Sequence, residues 1–133
     1  MKVVPVVAGC IIENKRILIG LRKASSSPET INMWEMLGGR VEEGETFEEA
    51  LAREFKEELG MVIYVKELLH AQINTYSEGT SYLVLFFLCD RLSAKGKGEN
   101  IKTKWAYPNS LEFKNTLPGA KEALSKLIER GKY

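Results

Sequence analysis

The stretch from Thr46 to Gly60 limits the possible folds more than any other part of the chain. Thr46-Phe47-Glu48-Glu49 has the form of a capping box, in which the threonine hydroxyl accepts an orphan backbone N–H and the fourth residue reaches back to the first. Phe47, Leu51, Phe55 and Leu59 recur every fourth residue, Ala50 widens the stripe, and Gly60 stands where a left-handed residue ends a helix. The pattern predicts an amphipathic helix from Thr46 to about Leu59. Its apolar stripe needs a sheet to bury it.

Strand-like segments lie on both sides of that helix. Val3 to Ile12 is apolar and rich in β-branched residues, Glu13-Asn14-Lys15 supplies a polar turn, and Arg16 to Leu21 resumes the pattern, which predicts a strand pair. Ala24 to Asn32 reads as a loop, Met33 to Leu37 as a short apolar piece, and Gly38-Gly39 as a break. Val62 to Ile73 and Ser81 to Asp90 read as strands joined through Asn74 to Thr80. Ala94 to Asn100 is a Gly/Lys-rich loop, and Ile101 to Tyr107 is a candidate last strand. Gly119 to Arg130 carries Ala120, Ala123, Leu124, Leu127 and Ile128 at helical spacing. Strands, helix, strands, helix predicts an α/β fold with a mixed sheet covered by helices. A length of 133 residues suits one core, so a single domain over 1–133 is expected.

The first helix also carries charge in an unusual place. Eight glutamates fall between Glu42 and Glu58, out of 18 acidic residues in the chain. On a wheel at about 100° per residue with Phe47 at zero, Leu51 falls near ~40°, Glu58 near ~20° and Glu54 near ~340°. Two glutamates thus share the buried arc, with Glu57 and Arg53 beside it. An unpaired carboxylate away from water costs several kcal/mol, and neighbouring like charges add repulsion, so a positive partner is expected there. Mg²⁺ fits, because it takes oxygen ligands and commonly bridges carboxylates to substrate phosphates; Mn²⁺ is the alternative. Arg53, four residues before Glu57, can hold one carboxylate in place.

Several other classes are disfavoured. No apolar run approaches the roughly 18–20 residues of a membrane-spanning helix, and Val3 to Ile12 lacks a secretory cleavage pattern. A net charge of +1 gives no global pull toward a nucleic acid polymer or a membrane. Cys10 and Cys89 each sit in an apolar run, as core thiols do, and a cytoplasmic location is expected; the sequence leaves a disulfide open.

A longer pattern runs through the helix: Gly39, five residues, Glu45, seven residues, Arg53-Glu54-Phe55, one residue, Glu57-Glu58, one residue, Gly60-Met61. It resembles the Nudix box over 39–61, matching all of its fixed Gly, Glu and Arg positions. Phe55 and Met61 stand where family members more often have aliphatic residues. The lead-in Trp34-Glu35-Met36-Leu37-Gly38-Gly39, the strand pair from Val6 to Arg22 and the Trp105 segment followed by a C-terminal helix extend the likeness over most of the chain.

The resemblance implies an α/β/α sandwich with a mixed sheet and the box forming loop, helix and loop. It implies that Glu57 and Glu58 hold the divalent cation with help from the Gly38 carbonyl. Glu54 then ligates a second cation or takes a proton from the attacking water, and Arg53 orients the cluster. By the same likeness Glu45 stabilises the loop. The Gly38-Gly39 pair, without side chains, lets the backbone approach metal and phosphate closely, with Gly39 on the substrate side. Homodimers are common among such proteins.

Outside the box, Glu99 lies six residues before Trp105, where some members place a further ligand or base. Arg22 is a candidate for a terminal phosphate, and Trp34 and Glu35 for a base or ribose; a surface charge, a core ring and a rim acid are the plain alternatives. His70, the only histidine, has no second histidine to pair with. The compact length and the Trp-Glu lead-in resemble MutT-type enzymes that convert nucleoside triphosphates to monophosphate and pyrophosphate, so a small nucleotide is the expected partner. Leu117-Pro118-Gly119-Ala120 departs from the Asn or Asp of members that select oxidised guanine. Tyr76 lies near the tyrosine that marks diadenosine polyphosphate hydrolases, which makes dinucleoside polyphosphates the alternative substrate. A nucleotide-binding domain without catalysis is the alternative of another class.

Overall fold

Helix α1 (Phe47–Leu59) starts and stops where local chemistry dictates. The Thr46 hydroxyl accepts from the backbone N–H of Glu49 at 3.1 Å, and Glu49 Oε1 accepts from the N–H of Thr46 at 2.8 Å. Such a cap is worth about 1 kcal/mol. Gly60 closes the helix at φ 60°, and its N–H turns back to the Lys56 carbonyl. Ala50, Leu51, Phe55 and Leu59 are buried, as the stripe predicts, whereas Phe47 at the first turn is 39% exposed. The buried part of the stripe thus begins at Ala50.

These features come from a computed structural model that describes residues 2–21, 33–99, 101–110 and 119–133. The Ala24 to Asn32 loop, Arg22 and the Leu117-Pro118 pair fall outside the described residues.

The strands are β1 (Val3–Glu13), β2 (Arg16–Leu21), β3 (Trp34–Glu35), β4 (Leu37–Arg40), β5 (Ile63–Thr75), β6 (Ser81–Arg91) and β7 (Thr103–Ala106), with α2 (Ala120–Glu129) after them. They form one sheet in the order β3-β2-β1-β6-β5, with β4 also paired to β1 and β7 to β2. Among the described strands only β1 and β6 run parallel, so the sheet is mixed. Asn14 and Lys15 turn the first hairpin with φ of 52° and 61°, the left-handed pair of a tight two-residue loop. Pairing of β1 with β2 stops after Ile12↔Ile17 and Glu13↔Arg16. The rest of β1 is taken by β4 on one side and β6 on the other.

Two departures from the sequence reading matter for the site. Gly38-Gly39 does not break the chain but lies inside β4, opposite Ala8 and Val7. Segment β5 runs past Ile73 to Thr75, with register irregularities near Lys66 and Leu69. Alternation of side chains then puts the two described helices on opposite faces. Val7, Ile11, Phe87 and Cys89 pack under Ala50, Leu51, Phe55 and Leu59 of α1. Ala8, Cys10, Phe86 and Leu88 pack under Ala120, Ala123, Leu124 and Leu127 of α2. The result is an α/β/α sandwich. Cys10 and Cys89 are buried free thiols, and burial pushes both up to about 12. No described helix is long and apolar enough to cross a membrane.

Candidate active site

The glycine pair decides how near α1 can come to β4. A Cβ on Gly38 would collide with the Val7 carbonyl oxygen, and one on Gly39 would stand 2.5 Å from Glu54 Oε1. With no Cβ at either place, the Glu54 carboxylate rests directly on the β4 backbone.

Arg53 ties the loop before the helix to the helix itself. Its Nε donates to Glu45 Oε2 at 2.6 Å and its Nη2 to Glu45 Oε1 at 3.0 Å, a two-bond fork of the kind that fixes geometry as well as charge. Nη2 also donates to the Arg40 carbonyl at 3.0 Å. Nη1 donates to Glu54 Oε1 at 2.9 Å and to Glu57 Oε2 at 3.3 Å. Glu45 Oε1 further accepts from the backbone N–H of Glu42 at 2.8 Å. The Arg53 hydrogen bonds hold the Glu45 carboxyl below the usual range, and chiefly through Glu45 the guanidinium is held more firmly protonated than usual.

Glu54 and Glu58 behave in the opposite way. Burial raises both, and for Glu58 the charges of Glu54, Glu35, Glu99 and Glu57 add to it and push its carboxyl up to about 8. Arg53 works against the rise at Glu54. Glu58 Oε1 is buried and has no hydrogen-bond partner among the described residues. A buried carboxylate oxygen in the field of several acids is a site of negative potential, which suits a hard dication with oxygen ligands. Among the described residues no three acidic, histidine or cysteine side chains gather closely enough to enclose an ion by themselves. An open set of carboxylates is consistent with Mg²⁺, which keeps waters and takes phosphate oxygens beside one or two carboxylates.

The Gly/Lys-rich loop crosses the end of α1. Gly96 N–H donates to the Leu59 carbonyl at 2.9 Å and Glu99 N–H to the Glu57 carbonyl at 2.8 Å. Those bonds satisfy carbonyls left over at the helix end and bring the Glu99 charge to bear on Glu54 and Glu58.

A cavity of about 170 Å³ opens on the α2 side of the same strands, its wall including Gly38, Gly39, Glu35, Asn74, Tyr82 and Ala120. Pockets that enclose most of a larger organic ligand run to roughly 300–1,000 Å³, so this one suits a single ring system rather than a whole nucleotide.

The candidates thus fall into groups. Arg53, Glu54, Glu57, Glu58 and Glu99 converge at the end of α1, Gly38 and Gly39 border both cluster and cavity, and Glu35 lines the cavity while adding to the field at Glu58. Trp34 is partly buried against the core under α2, and Arg22 lies outside the described residues. Arg40, Asn74 and Tyr82 line the cavity, and no sequence motif points to them. Asn74 and Tyr82 face each other across β5 and β6, a juxtaposition that depends on strand register and leaves no local spacing to read.

Residues 3–127 match the family model described as NUDIX domain. The chain is 42% identical over 67 residues to the CTP pyrophosphohydrolase of Escherichia coli (strain K12), an alignment covering 50% of this chain and 48% of that protein. It therefore spans about half the length of that relative. It is 30% identical over 116 residues to the 8-oxo-dGTP diphosphatase of Buchnera aphidicola subsp. Schizaphis graminum, covering 86% of this chain and 85% of that one. The solution structure of the E. coli ORF135 protein superposes with a TM-score of 0.78 at 27% identity, covering 98% of this chain and 94% of that chain. With the box, the sandwich and the family match in agreement, this chain belongs to the NUDIX family.

Proposed function

We propose that this chain is a divalent-cation-dependent hydrolase of nucleotide phosphoanhydrides, acting on (d)NTPs to give a nucleoside monophosphate and pyrophosphate. The observation that carries the reading is Glu58: a buried carboxylate oxygen without a partner among the described residues, in the field of further acids that include Glu35 of the cavity wall. Names of relatives, CTP pyrophosphohydrolase and 8-oxo-dGTP diphosphatase among them, support the nucleoside triphosphate class.

In this reading Glu57, Glu58 and the Gly38 carbonyl hold Mg²⁺ or Mn²⁺, with Glu99 as a further ligand. The bound cation supplies positive charge against the diphosphate oxygens. Glu54 accepts the proton of a water whose oxygen attacks one phosphorus, and the P–O bond to the other phosphate breaks with its electron pair on the departing oxygen. Arg53 keeps Glu54 and Glu57 in place while Glu45 anchors Arg53. The base enters the cavity on the α2 side, next to Glu35. Positioning and electrostatics carry most of the rate.

The test is a panel of (d)NTPs, oxidised dGTP, diadenosine polyphosphates and ADP-ribose, with Mg²⁺ and after chelation, reading monophosphate and pyrophosphate. Glu54→Gln and Glu57→Gln should each cut kcat by about 10²–10⁴-fold with the circular dichroism unchanged. Near-full activity in either variant overturns the roles, and tight nucleotide binding with no turnover of any substrate overturns the enzyme. Dinucleoside polyphosphates are the second reading. Tyr76 favours it by lining the cavity with its ring 5.7 Å from that of Tyr82, a platform for a second base.

A further inference from the structure

Arg53, Arg91 and Arg130 each hold a glutamate. Arg40 forms no ion pair among the described residues; its guanidinium lies 5.6 Å from the centre of the Tyr82 ring, and Nη2 donates to the Tyr82 hydroxyl at 3.3 Å. The reach runs across a strand. Arg40 sits beside Val6 of β1, and Val4 and Val6 sit beside Tyr82 and Val84 of β6, so side chains of one face carry the arginine from β4 over β1 to β6. Tyr82 in turn has Tyr76 at 5.7 Å between ring centroids. The arginine is tied at its backbone as well, since its carbonyl accepts from Arg53 Nη2 at 3.0 Å.

This held cation has a particular place on the cavity wall. Of the described residues that line the cavity, Arg40 alone carries a positive charge. Ala8, Met36, Val84, Phe86 and Ala120 make an apolar lining, while Arg40 is exposed and stands at the Tyr82 end. Gly39, next to it in β4, meets the Glu54 carboxylate. A nucleotide with its base in the cavity and its diphosphate at the carboxylates must pass β4, and the phosphate joined to the ribose is the group that makes the passage. A guanidinium offers such a phosphate several N–H donors and a full charge, and among the described residues the Tyr82 hydroxyl engages one of those donors.

We infer that Arg40 is a substrate-binding residue for the phosphate nearest the nucleoside, and that Tyr82 is a positioning residue that holds the guanidinium ready for it. The assignment depends on the cavity being the base site and the acid cluster the diphosphate site, as proposed above. That phosphate stays on the nucleoside when the linkage beyond it is cut, so Arg40 grips the monophosphate product as well as the substrate. An arginine already lying on a ring has lost part of its freedom before the ligand arrives, which lowers the cost of ordering it.

Monophosphates contain no phosphoanhydride, so they bind without being cleaved even with Mg²⁺ present. NMR titration of AMP, GMP, CMP and UMP finds the base that wild type binds best, and Kd is then measured for that monophosphate and for its nucleoside. The ratio of nucleoside Kd to monophosphate Kd cancels the contribution of the base. The variants are Arg40→Gln, Arg40→Lys, Tyr82→Leu and the double variant Arg40→Gln/Tyr82→Leu, each checked by circular dichroism.

Arg40→Gln should cut the ratio by about tenfold while the nucleoside Kd stays within about twofold, and Arg40→Lys, which keeps the charge, should recover part of it. Tyr82→Leu should cut the ratio by about threefold, and the double variant should lose no more than Arg40→Gln alone, because the tyrosine acts through the arginine. A ratio that stays within about twofold of wild type in Arg40→Gln overturns the inference, even where hydrolysis of triphosphates is intact. Equal losses for nucleoside and monophosphate overturn it too, since Arg40 would then serve the base or the fold. Additive losses in the double variant overturn the part given to Tyr82. Ratios that move as expected in a protein that cleaves no triphosphate uphold the phosphate contact and overturn the hydrolase reading instead. A wild type that binds none of the monophosphates overturns the contact.

Discussion

The Glu54 carboxylate lies in the space that a side chain on Gly39 would need, with Oε1 2.5 Å from the place of its Cβ. The two residues are joined in sequence only through the loop and the capped start of α1, yet the strand glycine sets the position of the helix glutamate. Gly39→Ala must therefore push Glu54 away from β4 and strain its bond to Arg53. We expect kcat to drop by about 10²-fold, since an ångström of misplacement at a reacting group costs about that much. Stability should fall modestly, because β4 keeps its pairing to β1. Steady-state kinetics together with thermal melting check this; a variant with normal kcat would show that Glu54 has room to spare.

A second expectation concerns pH. The Glu58 carboxyl titrates at about 8 when folded, raised by burial and by neighbouring acids, against an ordinary 4.5. The folded chain without cation therefore binds more protons than the unfolded chain between those values, and stability must decline as pH rises from about 4.5 to about 8, then level off. Glu58→Gln removes the titration, so the cation-free variant should be more stable than wild type at pH 8, by on the order of a few kcal/mol. Mg²⁺ should raise the wild-type melting temperature at pH 8 more than that of the variant. Melting curves at pH 5 and 8 with and without Mg²⁺ decide it, and a wild type that gains stability over this interval contradicts the placement of Glu58.

What the sequence reveals of the fold and the site follows the range of the interactions. Helix α1 is readable from its capping box and Gly60, and the metal-site argument from the fact that Glu54 and Glu58 share an arc with Leu51. These are contacts within a few residues. The same periodicity misplaces Phe47, because how much of an apolar stripe is covered depends on tertiary packing and not on spacing along the helix. Gly38-Gly39 reads as a break because glycine disfavours strand interiors. Only the close approach of Glu54 and of Val7 explains why the pair belongs in one. Asn74 and Tyr82 give no signal at all, since the cavity that gathers them depends on β5–β6 register and on irregularities in β5.

Gly60 offers a test of the loop that crosses the helix end. At φ 60° an alanine costs about 1 kcal/mol, and here its Cβ would also meet the Lys97 carbonyl oxygen and stand 2.5 Å from Gly96 C. Gly44, at φ 84° with nothing within 4 Å, would bear only the conformational cost. Gly60→Ala should therefore lower the melting temperature clearly more than Gly44→Ala. It should also reduce activity, because the displaced backbone holds Glu99 to the Glu57 carbonyl. Equal melting losses for the two variants would mean that residues 96–99 yield without resistance.

Arg53 provides the last expectation, and the most demanding one for the proposed roles. Its guanidinium reaches Glu45 through two bonds, Glu54, Glu57 and the Arg40 carbonyl at once. A lysine carries the same charge as a point on a flexible stem and cannot span that set, so Arg53→Lys separates charge from geometry. If Arg53 acts by position, kcat should fall by about 10²-fold or more even in the lysine variant. The Glu45 carboxyl should rise toward its ordinary value, which carboxyl NMR titration can follow, since the arginine hydrogen bonds are what lower it most. Glu45→Gln should reproduce part of the kinetic loss, and adding it to Arg53→Lys should cost little more, because both act through one fork. Full additivity of the two would show that Glu45 works independently of Arg53, and wild-type kcat in Arg53→Lys would reduce its part to charge alone.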